Sequence, residues 1–226
     1  MQERGEEVTQ TVKDGQAGSG VGRCLKQIRQ MILNGDLLPG QKVHQGELAT
    51  ILQTSRIPVR EALSTLQAEG LLDHRPNTGF SVVRFSRQDL YEIYLMRRLL
   101  ETELLRSIDL SHVDAAELVR LDDRLSTISV QDEPEQYHQA NTEFHFALFD
   151  HSPLQLVRRE VAQLWYKSAF YRSLYFDDSS AAQAHDDHRA IIDAVRAGDI
   201  EELIRVSDEH RTVTENLMSR RAGRSR

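Results

Sequence analysis

Residues 48–72, LATILQTSRIPVREALSTLQAEGLL, constrain this chain more than any other stretch. Their apolar residues recur at helical spacing on both sides of one short break, a pattern that fits two helices and a tight turn. The first helix is expected over 47–52, with Leu48, Ala49, Ile51 and Leu52 on its inner side. Gln53 and Thr54 make the turn, and Ser55 is placed to cap the second helix. Pro58 falls in that helix's first turn, where its missing N–H costs nothing. Val59, Ala62, Leu63 and Leu66 give one buried stripe. Arg56 and Arg60 lie one turn apart off that stripe, with Ile57 and Ser64 beside them. Gly70 ends the helix, and a wing follows: a strand at 72–75, a turn at Pro76-Asn77-Thr78-Gly79 and a strand at 80–85. A helix-turn-helix sends such a second helix into the DNA major groove, N-terminal residues foremost. Arginine suits guanine edges and phosphates, so Arg56 and Arg60 are candidates for contact with double-stranded DNA. On an arbitrary helix the same pair would only be solvated.

A net charge of −7 looks wrong for such a role, but it is unevenly spread over the 226 residues. Residues 21–86 carry eight Lys/Arg against five Asp/Glu, whereas residues 87–226 carry 18 against 26. The basic part coincides with the helix-turn-helix, so the acidic remainder argues little against DNA binding. A single cysteine, Cys24, excludes an internal disulfide and reads as a plain, half-buried helix residue. The charged start MQERGEEV is unlike a signal peptide and no transmembrane run appears, so no membrane partner is expected and the chain reads as a soluble cytoplasmic protein.

Taken in order, residues 1–20 are polar, end in GQAGSG and read as a disordered arm. A helix over 21–34 places Val21, Leu25, Ile28 and Ile32 on one face, and Gly35 stops it. The DNA-binding domain is then 21–86. Beyond it every segment has helical period. Ser86 with Asp89 opens the first helix as a capping box, and Ser111 with Asp114 repeats the device. Asp132 with Pro134, Ser152-Pro153 and Ser179-Ser180 open the next three, and Gly198-Asp199 precedes the sixth. The fold class is therefore mainly α, a winged helix-turn-helix followed by an all-helical antiparallel bundle over 87–218. A basic tail, 219–226, closes the chain.

Of nine histidines, three fall on three different bundle helices: His145, one turn after Asn141, then His188 and His210. Neutral imidazoles converging inside a bundle suit Zn²⁺ or Ni²⁺. Spacing alone equally fits ordinary core or surface histidines. His44, His112, His138 and His151 read as surface residues, and His74 as a solvated wing residue or a DNA contact.

The runs LLPGQKV, ELA, SRIPVREAL, AEGLL and TGFSVV resemble the winged helix of the GntR family of bacterial transcription regulators. That resemblance implies operator contacts by Ser55, Arg56, Pro58 and Arg60, and a wing tip at Thr78 and Gly79 that approaches the minor groove. The helical remainder resembles the FCD effector domain of the FadR subfamily, in its VanR-like branch. Many such domains hold a divalent metal with an Asp-x-x-x-His and two later histidines. FHFAL, DDHRAIIDAV and DEHRTV supply His145, His188 and His210, while Asn141 stands where Asp is usual, bringing a carbonyl oxygen but no charge. His185 is a reserve ligand. Arg97 matches a pocket-facing arginine, although an intrahelical pair with Glu101 fits it as well. Tyr94, Trp165 and Arg172 are assigned to the effector cavity by helix phase.

These features imply a homodimeric, ligand-responsive regulator of operator DNA rather than an enzyme. A metal on three neutral imidazoles keeps its full +2, and Arg97 would add to it, so the expected effector is a small carboxylate. Two rivals compete. His185-Asp186 resembles the pair of HD-type metal-dependent hydrolases, although no further carboxylate or general base accompanies it. A constitutive DNA-binding dimer with no effector would suit a dry bundle core.

Overall fold

In the computed structural model, which describes residues 20–175 and 177–221, the chain divides after Arg84 into two compact units. The first is assembled around the expected stripe, with Val59, Ala62, Leu63 and Leu66 all fully shielded from solvent. Its elements are α1 (Gly20–Leu33), β1 (Lys42–Val43), α2 (Gln45–Ile51), α3 (Arg56–Ala68), β2 (Leu72–Arg75) and β3 (Gly79–Val82). The wing is a three-stranded antiparallel sheet in the order β1-β3-β2, with His74 opposite Phe80 and Arg75 opposite Gly79. β1 was not anticipated; two residues carry no readable alternation. The wing turn runs through Asn77 and Gly79 at φ of 64° and 84°, and Gln53 adopts 49° between α2 and α3. Glycine occupies that conformation without strain, so Gly79 suits a tight, exposed tip.

Four expectations for this unit need correction. Ser55 occupies the N-cap position of α3, but its hydroxyl makes no capping hydrogen bond. Ile51 is 61% exposed, because α2 is too short to bury more than Leu48 and Ala49. Cys24 is fully buried and replaces Val21 and Leu25 at the centre of the α1 face with Ile28 and Ile32. The last wing strand ends at Val82 rather than 85.

The second unit comprises α4 (Arg87–Arg106), a 3-10 turn (Leu110–His112), α5 (Ala115–Ser126), α6 (Pro134–Phe149), α7 (Gln155–Tyr175), α8 (Asp178–Ala197) and α9 (Ile200–Arg221). Ser86 and Asp89 form the expected reciprocal capping box at α4. At two later helices the caps moved to carboxylates: Asp114 itself caps α5, and Asp177, ahead of Ser179-Ser180, caps α8. An ionised carboxylate is the stronger acceptor for the exposed N–H groups of a first turn. At α6 the cap position is Glu133, while Asp132 bonds instead to Ser129. Gly198 ends α8 in the left-handed conformation, φ 68°. The core joins Leu104 and Leu105 of α4, Leu118 of α5, Phe144 and Leu148 of α6, Val161 of α7, Ile191 of α8 and Leu203 of α9. The arm and the tail lie outside the described residues, apart from Gly20 and the helical backbone of 219–221. Among the described residues no helix is long and apolar enough to cross a membrane.

Candidate functional site

Two places gather the residues singled out by sequence. On the first unit, Ser55, Arg56 and Arg60 are exposed at the N-terminal end of α3, Pro58 is half-buried, and Thr78 and Gly79 sit at the wing tip. Ile57, 71% exposed, stands between the two arginines. Arg56 lies against Gly46, where an added Cβ would meet the guanidinium at 3.3 Å. Arg29 of α1 pairs with Glu69 at 2.7 Å and ties down the far end of α3.

Inside the second unit, His145 (α6), His188 (α8) and His210 (α9) do converge. Their ring centroids form a nearly equilateral triangle, 5.0, 5.1 and 5.1 Å apart, and one nitrogen from each lies within 4.8 Å of the others. His188 is wholly buried, and His210 keeps 11% of its side chain exposed. His188 donates from Nδ1 to Asp122 Oδ1 at 3.0 Å, and His210 from Nδ1 to Asp187 Oδ2 at 3.0 Å. Carboxylates so placed fix the tautomer and turn the Nε2 lone pairs inward. The Nε2 atoms of His145 and His188 approach to 3.3 Å, a separation that only a shared proton or an intervening cation stabilises. Burial, with the neighbouring imidazoles, Arg97 and Arg172, pushes His145 well below the usual histidine range. Burial likewise lowers His188 to about 4, against the opposing pull of Asp122. Both rings are neutral near pH 7, the form a metal requires. The donor set thus fits a divalent ion. Asn141, one turn before His145, lines the same cavity.

The cavity beside this triad has a volume of about 30 Å³, and its wall includes Arg97, assigned to it by resemblance, and Tyr94, Trp165 and Arg172, assigned to it by helix phase. Arg97 is not free to meet a ligand alone. Its Nε bonds Glu101 Oε1 at 2.7 Å, the intrahelical pair that the spacing also allowed. Glu101 further accepts from Trp165 Nε1 at 2.7 Å and Arg211 Nε at 2.9 Å. Burial would raise this carboxyl, but the two arginines win and hold it at about 2. Among the described residues Arg172 has no carboxylate hydrogen-bonded to it. Its Nη1 reaches Ser168 at 2.8 Å, its Nη2 the Trp165 carbonyl at 3.5 Å, and its Cζ lies 4.6 Å from the Trp165 ring, while its buried Nε finds no partner among those residues. Burial and then Arg97 lower it to about 10, so it remains charged at neutral pH.

Three further residues escaped the sequence reading. His138, read as a surface residue, is 4% exposed and lines the cavity; burial and Arg172 push it to about 3. Asp122 and Arg211 were not singled out at all. Asp122 had a signal: it continues the apolar stripe of α5 between Leu118 and Leu125, where a carboxylate has no business unless it is paired. His185 approaches Asp122 Oδ2 at 2.8 Å instead of joining the triad, and its neighbour Asp186 is exposed.

Comparison with known proteins decides the family. Residues 23–82 match the family described as bacterial regulatory proteins, gntR family, and residues 92–213 match the FCD domain. The chain belongs to the GntR family and carries an FCD domain. Relatives include LutR, an HTH-type transcriptional regulator of Bacillus subtilis, 30% identical over 84% of this chain and 96% of its own length. YdhC, an uncharacterized HTH-type regulator of the same organism, is 30% identical over 75% and 78%. The fold of Escherichia coli McbR/YncC superposes with a TM-score of 0.76 over 90% of this chain and 98% of that one, at 22% identity. This GntR-family protein is therefore a DNA-binding transcription regulator, and its relatives are regulators rather than enzymes. The hydrolase alternative falls with that finding.

Proposed function

We propose that the chain acts as a homodimer on operator DNA and that a small carboxylate, bound beside a divalent metal in the FCD unit, changes its operator affinity. The observation that carries the effector half is the buried guanidinium of Arg172, hydrogen-bonded among the described residues to neutral oxygens and to no carboxylate, beside three converging imidazoles. A dry apolar core, which a purely constitutive dimer would suit, is not what this unit contains: Arg97, Glu101, Arg172 and Arg211 are all buried. His145, His188 and His210 would hold the ion, zinc or nickel by donor type, with Asn141 at the border of the site. The metal would supply positive charge for the acid. Arg172 takes the role that sequence assigned to Arg97, because Glu101 already neutralises the latter. Effector and operator then bind two states of the protein with unequal affinity, and each weakens or strengthens the other reciprocally.

On the DNA side, Arg56 and Arg60 are proposed to read base edges, with Ser55, Pro58, Thr78 and Gly79 fitting the backbone around them. Arg56→Ala or Arg60→Ala should each cost about 1–3 kcal/mol of operator affinity and relax specificity. Fluorescence anisotropy on the chain's own promoter region measures both. Unchanged binding by the folded double variant would remove α3 as the reading helix.

On the metal side, Asp122→Asn should weaken metal binding about 10- to 100-fold, since Asp122 orients His188. Asn141→Asp should strengthen it, by placing a charge where only a carbonyl stands, and should weaken acid binding through the same charge. Calorimetry with zinc and then acetate tests both variants. If Asn141→Asp leaves zinc affinity unchanged, Asn141 does not border the ion; if His145→Ala also retains zinc, the triad is not the metal site.

A further inference from the structure

A carboxylate headgroup fits the inner cavity, but little more does. About 30 Å³ is room for roughly two waters, which two carboxylate oxygens can replace. A second cavity of about 290 Å³ opens between α5, α6 and α8. Its wall is largely apolar, with Leu125, Ile128, Val130 and Ala181, and Tyr137 belongs to the walls of both cavities. Leu125, Val130 and Tyr137 form a small cluster set apart from the main core, so the space beside them is not filled by it. Its one basic side chain, His185, faces Asp122. Polarity thus changes across a single ring: three arginines line the inner side of Tyr137, and a mostly aliphatic wall, with Ser126 and His185 at its polar part, lines the outer side.

We propose that the ligand of this unit is an amphipathic acid, whose carboxylate lies in the inner cavity by Arg172 and whose alkyl or aryl tail passes Tyr137 into the outer one. This rests on the carboxylate reading above and adds the ligand's second half. By volume the outer cavity has room for a tail larger than about one aromatic ring or six carbons, since a cavity of about half its size takes benzene. Tyr137 must turn aside for the tail, which makes it the residue that selects for length.

The test is calorimetry of the full-length, zinc-supplemented protein with acetate, butyrate, hexanoate and phenylacetate. Affinity should rise about three- to fourfold per added methylene, the increment expected for burying that group. Ala181→Leu, which grows into the outer cavity alone, should flatten the series while leaving acetate binding unchanged. Tyr137→Ala, which joins the two spaces, should steepen it; Ala181→Leu keeps the test decisive if Tyr137→Ala does not fold. Acetate binding with no gain from chain length overturns the tail assignment only. An undiminished series in Ala181→Leu also overturns it, by placing the tail elsewhere. Failure of wild type to bind any acid, acetate included, overturns the carboxylate reading itself and the tail with it.

Discussion

Replacing Glu101 by Gln should destabilise the FCD unit by about 3–5 kcal/mol, the usual result of breaking a buried ion pair from one side. Glu101 is the shared partner of Arg97, Arg211 and the Trp165 indole, and every one of these groups is buried. The amide would keep one acceptor and present an N–H where an arginine now donates. Arg97, Arg172 and Arg211 would then face one another with no buried carboxylate among them. The depression of Glu101 from 4.5 to about 2 points to the same scale, about 3 kcal/mol. Its sign is fixed: a carboxyl lowered by folding stabilises the native state above about pH 4.5, and that contribution disappears as pH falls toward 2. Urea unfolding at pH 7 measures the loss. A decrease under 1 kcal/mol would mean that the arginines find another counter-ion. Added acetate should recover part of the lost stability, because the surplus positive charge then binds an anion more tightly.

A second large effect is acid lability that begins well above the carboxylate range. His138 and His188 are held near 3 and 4 by burial, and His145 is also held well below 6.5. For a histidine lowered by folding, the unfolded chain binds the proton first, so stability is full above about pH 6.5 and falls below it. By pH 5 each ring still neutral in the folded state costs about 2 kcal/mol relative to pH 7. The fall should therefore come in two waves, histidines from about pH 6.5 and Glu101 from about 4.5. Urea midpoints across pH 7.5 to 5 test it, and His138→Gln should remove one proton's share of the slope. A flat profile over that interval would show that these rings are hydrated and already exchange protons freely.

The two waves have different histories in the chain. His145, His188 and His210 were legible as a set only through family resemblance, because their spacing of 43 and 22 residues has no local meaning. Helix phase pointed Tyr94, Trp165 and Arg172 toward one interior and resemblance added Arg97, and the cavity wall contains all four. Phase could not choose between Arg97 as ligand contact and Arg97 as partner of Glu101, since an i, i+4 pair faces both its own helix and the core.

What the sequence by itself determined is local. The stripe of α3, its proline at the first turn, the Ser86–Asp89 capping box and the glycine stop at 198 all follow from neighbours within one or two turns. The wing turn belongs with them, because Gly79 tolerates a backbone that other residues resist. Tertiary structure decided which polar residues face one another across helices. Asp122 meets His188 over 66 positions, Glu101 meets Arg211 over 110, and His138 leaves the surface for the cavity wall. The physical reason is that burying a charge is tolerable only with a partner in reach, and that partner lies on another helix. Its position depends on how the helices pack, which no single stretch of residues encodes.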